Sequence, residues 1–153
     1  MKNVTWSSRF SKEIDSEVLD FSQSLSIDIV LYRADIEVTI AHVEMLSNCG
    51  HITVTEKRKI INALKKVNKL ADTGKLKWSV KYEDVHMNIE NALVKLIGDV
   101  GKKIHLGRSR NDLITTDLRL YLRDFIDIYL DIVGSPGWLR KIDRERERER
   151  EGE

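Results

Sequence analysis

From residue 1 to residue 135 the chain contains no proline, and its apolar residues recur at spacings of three and four between glycine stops. That pairing constrains the fold to helices. Asp28 is placed to cap a helix running to about Asn48, with Leu31, Ala34, Val38, Ala41 and Met45 along one stripe and Cys49-Gly50 as its stop. Thr53 and Glu56 have the pattern of a capping box, and the helix behind them carries Ile60, Leu64, Val67 and Ala71 before Gly74 ends it. A third helix is expected from about Glu83 to Ile97. Val85, Ile89, Leu93 and Leu96 form its inner face, Glu83 and Asp84 sit at its positive end, and Gly98 and Gly101 break the pattern. The fourth runs from about Ser109 to Ile132. Ile114, Leu118, Tyr121, Phe125, Tyr129 and Ile132 share a face, and Leu120, Leu122, Ile126, Ile128 and Leu130 spread apolar surface well beyond it. A helix apolar over so much of its circumference expects neighbours on several sides. Residues 1–27 are polar and mixed, and are expected to form an extended or partly ordered arm.

The 153 residues suffice for one domain with a modest core. The formal net charge is +1, so no global field calls for nucleic acid or a membrane surface. One cysteine, Cys49, excludes a disulfide framework and suits a reducing cytoplasm. The N-terminus has no apolar core of a signal peptide, and no apolar run is long enough to span a bilayer. After Ile132 the character changes. GSPGW is a break, and the strict charge alternation that follows Asp143 cannot build a core. Residues 133–153 therefore read as an unrelated charged low-complexity tail.

Chemistry concentrates in HLGRSRND, residues 105–112. Backbone N–H groups at a helix start are unpaired, and the macrodipole is positive there. Gly107 permits close backbone approach. Arg108 and Arg110 can grip a carboxylate through two hydrogen bonds, and Asn111 adds a donor and an acceptor. These features describe an anion-binding helix mouth. An arginine-rich surface loop with Asp112 as a helix cap reads the same residues equally well. His86 is either close to a site or a partly buried residue pairing with Glu90 one turn on. His86 and Glu90 are too few ligands for a metal. His105 reads as structural, His42 and His51 sit in no pattern, and Cys49 reads as inert.

GKKIHLGRSRNDLITTDLRLYLRD, residues 101–124, closely resembles the first signature segment of the argininosuccinate lyase family, within the fumarase/aspartase superfamily. EDVHMNIE at 83–90 is similar to that family's EDxHxxxE block. The segment at 24–46 is similar to its first long helix, and WSSRF at 6–10 resembles its WGGRF. The blocks stay in order and spacing from Trp6 to Ile132. Departures are Ser7 and Ser8 for two glycines, Leu106 for a threonine, Leu113 for a glutamine, and Val38-Thr39 for a glycine and a serine.

The resemblance implies an all-α fold. Residues 1–107 would be the N-terminal helical domain, and 108–132 the start of the central bundle helix. It implies cleavage of argininosuccinate to arginine and fumarate by β-elimination, without metal or organic cofactor, in a cytoplasmic homotetramer. Ser24, Arg110 and Asn111 match substrate-binding positions, and His86, Arg108 and Ser109 lie near them. The family's threonine–histidine pair and its mobile paired-serine loop have no counterpart here. The chain is therefore expected to be a truncated or frame-shifted copy, inactive by itself. Two other readings remain open: a non-catalytic helical remnant or structural relative, and a lyase of another succinyl adduct such as adenylosuccinate.

Overall fold

In the computed structural model, residues 15–134 and Gly137 are described. WSSRF and nearly all of the charged tail lie outside the described residues. Within them every regular element is a helix: α1 Ser16–Ser22, α2 Leu25–Asp28, α3 Tyr32–Asn48, α4 Val54–Asp72, α5 Val85–Ile97 and α6 Arg110–Val133. Short 3-10 stretches at Ile29–Leu31, Val80–Tyr82 and Gly98–His105 link them. No described helix is long and apolar enough to cross a membrane. The chain divides into two compact units, 1–117 and 118–153.

The core of the first unit lies where α3, α4 and α5 pack on one another, with the Gly98–His105 stretch laid against α5. Val43, Ile60, Leu64, Val67, Val85, Ile89 and Leu93 fill it. The capping box forms as its sequence requires. Thr53 Oγ1 accepts from the Glu56 N–H at 3.2 Å, and Glu56 Oε2 accepts from the Thr53 N–H at 3.0 Å. Gly101 is the glycine that allows close approach, since a Cβ there would meet Val94 N at 3.2 Å. Gly107 has open space around it. Its φ of +66° is what requires a glycine, not the close backbone contact expected from the sequence.

Within the expected partly ordered arm, the described residues form α1 and the start of α2. Several expectations turn out differently. Asp28 does not cap α3: it lies at the end of α2, and its side chain reaches across to α5. The buried residues of α3 are Ala34, Asp35, Ile36, Thr39, Val43 and Leu46, so Ala34 lies inside as expected while Ala41 and Met45 face out, Met45 being 43% exposed. The 3-10 turn before Tyr32 resets the helical phase, and two polar residues, Asp35 and Thr39, occupy inward positions that apolar periodicity does not count. Leu96 of α5 is likewise exposed, at 48%. At the start of α6 the inward residues are Leu113 and Asp117, not Ile114. In the second unit Leu118, Leu122, Phe125, Ile126, Ile128, Tyr129 and Ile132 are all exposed, so α6 carries a broad apolar surface.

Removing core volume should cost more than removing a cap. Leu64→Ala is expected to lower unfolding free energy by about 2–5 kcal/mol, and Thr53→Ala by about 1 kcal/mol. Paired urea denaturation curves check the order.

Candidate functional site

The mouth of α6 is capped by its own residues. Ser109 Oγ accepts from the Asn111 N–H at 3.2 Å, and Asp112 Oδ2 accepts from the Ser109 N–H at 3.0 Å. Both residues therefore act as caps, the plainer of the two readings for this pair. Asn111 is left exposed on the first turn.

The two arginines separate. Arg110 Nη1 donates to Asp84 Oδ2 at 2.7 Å, and its side chain remains 38% exposed. Asp84 is buried, and its other oxygen accepts from the Met87 N–H at 2.7 Å, which caps α5. One carboxylate thus starts one helix and steadies the arginine at the mouth of another. Arg108 turns inward. Its Nη2 donates to Thr39 Oγ1 at 3.2 Å, and Thr39 Oγ1 donates to Asp35 Oδ1 at 3.1 Å. Arg108 Nε and Nη1 are buried without partners. Burial pushes its pKa down, against the pull of Asp35, Asp117 and Asp112.

Ser24 is tied through the backbone to the residue before Asp84, the partner of Arg110. Its N–H, with that of Leu25, donates to the Glu83 carbonyl at 2.9 and 3.1 Å. Glu83 holds φ at 64°, a left-handed conformation costly for a residue with a side chain. The strained residue thereby brings Ser24 next to Asp84, the partner of Arg110. Ser24 Oγ donates to Asp28 Oδ2 at 2.6 Å, and Asp28 Oδ1 accepts from the Val85 N–H at 3.1 Å. Ser24, Arg110 and Asn111 are therefore collected around residues 83–84 and the α6 mouth.

His86 lies below this surface. It does not pair with Glu90, which instead accepts from His105 Nε2 at 2.9 Å. His86 Nδ1 meets Asp35 Oδ2 at 2.5 Å and stands 3.6 Å from Asp117 Oδ2. Asp117 is 0% exposed, and neither of its oxygens has a hydrogen-bond partner. Burial, then the neighbouring Asp35, push its carboxyl up to about 7. Burial also opposes charge on His86, but the hydrogen bond and charge of Asp35, with Asp84 and Asp117, outweigh it and raise the imidazole pKa. One donor atom each from Asp35, His86 and Asp117 lies within 4.8 Å of the others, a spacing compatible with a metal. His86 Nδ1 is already engaged by Asp35, and the Arg108 guanidinium acts on both carboxyls, so protons and Arg108 can balance the charge here. Sequence reasoning missed Asp35, Asp84 and Asp117. Asp84 lies inside the EDVHMNIE block and reads there only as an acid at the positive end of its helix, whereas Asp35 and Asp117 look like ordinary polar positions of amphipathic helices.

The sequence profile of a family described as lyase matches residues 8–134. An argininosuccinate lyase from Ruthia magnifica is 50% identical over 125 residues, covering 82% of this chain and 26% of the relative. One from Hydrogenovibrio crunogenus is 49% identical over 124 residues, covering 81% and 27%. Argininosuccinate lyase 2 from Pseudomonas fluorescens is 45% identical over 145 residues, covering 94% and 31%. The chain spans between a quarter and a third of the length of these relatives.

The raised pKa values of Asp117 and His86 set the sign of the pH dependence. A group raised in the folded state contributes stability present below its unfolded pKa and lost as pH rises through the folded one. For Asp117 that window runs from 3.8 to about 7. Glu56, held down to about 2 by the hydrogen bond from Lys103, acts oppositely and loses its contribution as pH falls below 4.5. Urea midpoints are expected to fall between about pH 5 and about pH 8, and the fall should be shallower in Asp117→Asn.

Proposed function

The chain belongs to the lyase family that its residues 8–134 match, and from that premise we propose that it forms the substrate-binding N-terminal part of an argininosuccinate lyase. The reaction is β-elimination to arginine and fumarate. A base takes a proton from the carbon beside a carboxylate, negative charge develops on that carboxylate, and the bond to the guanidinium nitrogen breaks. This chain's share is to hold the carboxylate. Arg110 supplies the charge, Asn111 supplies side-chain hydrogen bonds at the positive end of α6, and Ser24 supplies a hydroxyl beside them. Binding, not proton removal, is the role proposed for these residues.

The observation that carries this reading is the Asp84–Arg110 contact of 2.7 Å. A buried carboxylate orients one edge of the guanidinium and leaves the side chain partly open, so the arginine is ordered before an anion arrives. The division into a domain of residues 1–107 and a bundle helix from 108 onward belongs to the same proposal, as do cytoplasmic location and assembly as a homotetramer. The exposed apolar side chains from Leu118 to Ile132 support the last.

Calorimetric titration with fumarate and with argininosuccinate tests the proposal. Arg110→Gln is expected to weaken binding at least about tenfold, the loss of a charge-assisted hydrogen bond, and Asn111→Ala to weaken it less. Wild-type affinity in both variants would sink the reading.

A further inference from the structure

Among the described residues, the unpartnered buried polar atoms are Gln23 Oε1, two nitrogens of Arg108 and both oxygens of Asp117. Apart from that glutamine, the donors lie on Arg108 and the acceptors on Asp117. Each group acts on the other through charge: Asp117 pulls the Arg108 pKa up, and Arg108 pulls the Asp117 pKa down. Asp35 and His86, bonded to each other at 2.5 Å, connect to both: His86 stands 3.6 Å from Asp117 Oδ2, and Thr39 bridges Asp35 to Arg108. Asp35 comes from α3, His86 from α5, Asp117 from α6, and Arg108 from the two residues before α6.

We propose that Asp117 and His86 are positioning residues, which share a buried proton with Asp35, draw Arg108 inward and so set the mouth of α6 that presents Arg110 and Asn111. The inference rests on the reading of that mouth as a carboxylate-binding surface.

The charged groups that act on the pair can be named element by element. From α3 comes Asp35, whose Oδ1 also accepts from Thr39. At the start of α5 stands Asp84, next to His86 in the chain. From α6 come Asp117 itself and Asp112, which acts on Arg108. With a proton on His86 or Asp117, two carboxyl groups are matched by positive charge and a donor hydrogen. Without it, the carboxylates of Asp35 and Asp117 repel across a site closed to water, and Arg108 alone opposes them. Arg108 must then shift toward the carboxylates, or Asp117 must be displaced. Either movement is felt at once at Ser109, Arg110 and Asn111, because they follow Arg108 directly and begin the helix that carries Asp117. The buried proton thereby couples to the anion-binding face without any of the four groups touching the ligand.

The test is a nitrogen-detected NMR titration of the whole 153-residue chain, following the His86 ring and the Arg108 Nε–H from about pH 5 to about pH 8.5. His86 is expected to titrate above 6.5, its ordinary value, and the Arg108 signal to shift with the same midpoint. In Asp117→Asn both midpoints should fall together. Fumarate affinity of the wild type, measured across the same range, should change at that midpoint. An Arg108 signal that stays still while His86 titrates, or that follows a different midpoint, overturns the proposal. So does a His86 midpoint below 6.5. Should Asp117→Asn fail to fold, the wild-type titration still decides. The two readings fail separately. Failure of fumarate to bind at any pH, with Arg108 still following His86, removes the substrate reading and leaves the proton-linked placement of Arg108. Fumarate binding with Arg108 indifferent to His86 does the reverse.

Discussion

The contact of His86 with Asp35 and Asp117 is the constraint on which the first unit turns. It joins α3, α5 and α6 through side chains that are all buried. Apolar packing among α3, α4 and α5 would tolerate some sliding, because leucine, isoleucine and valine contacts are non-directional. A hydrogen bond between a buried imidazole and a buried carboxylate does not tolerate it, since each partner left alone would carry its full desolvation cost. The start of α6 has few other ties to the unit, Leu113 being its one buried apolar residue. Its placement therefore depends on polar geometry more than on buried area.

That constraint explains why two arginines two residues apart do different work. Arg108 lies before the helix and turns into the core toward Thr39, Asp35 and Asp117. Arg110 lies on the first turn and is held at the surface by Asp84. The negative groups that receive them sit on different elements, so neither arginine can take the other's place. The sequence GRSRND suggests two equivalent cations reaching for an anion; the structure turns Arg108 toward Thr39 and Asp35 and leaves Arg110 partly exposed against Asp84. The strained Glu83 belongs to the same economy. Its carbonyl ties Ser24 and Leu25 to the residue before Asp84, and the chain accepts an unfavourable φ to bring that about.

Much of the helical layout was legible because it rests on local signals. The Thr53–Glu56 box, the glycine stops, and the apolar runs of α4 and α5 act within one or two turns and need no tertiary knowledge. The family blocks at 83–90 and 101–124 contain Asp84, His86, Arg108, Arg110 and Asp117, which the structure brings together. The inner face of α3 was legible only at its start: Leu31 and Ala34 are buried as expected, whereas Asp35 and Thr39 are inside and Met45 and Ala41 are outside. Periodicity scores polarity, whereas burial here is decided by partners on other helices. His86 pairs with a residue 51 positions away rather than with Glu90 one turn on, a choice no local rule contains. Leu113 had the look of an apolar intruder near a polar site, but it is a core residue.

Asp117 answers a difficulty built into α6. A helix with leucine, isoleucine, phenylalanine or tyrosine around most of its circumference has no preferred side to turn inward, and several rotations would bury similar area. A carboxyl group breaks that equivalence. It is buried 3.6 Å from His86 Nδ1 and under the charge of Arg108, a placement that apolar burial alone does not select. The two unpartnered oxygens mark the cost, since an apolar residue of similar size would avoid it and could leave the unit more stable. What the apolar residue could not supply is direction. The aspartate sets how residues 110–117 are turned toward His86, while Asp84 holds Arg110 at the surface.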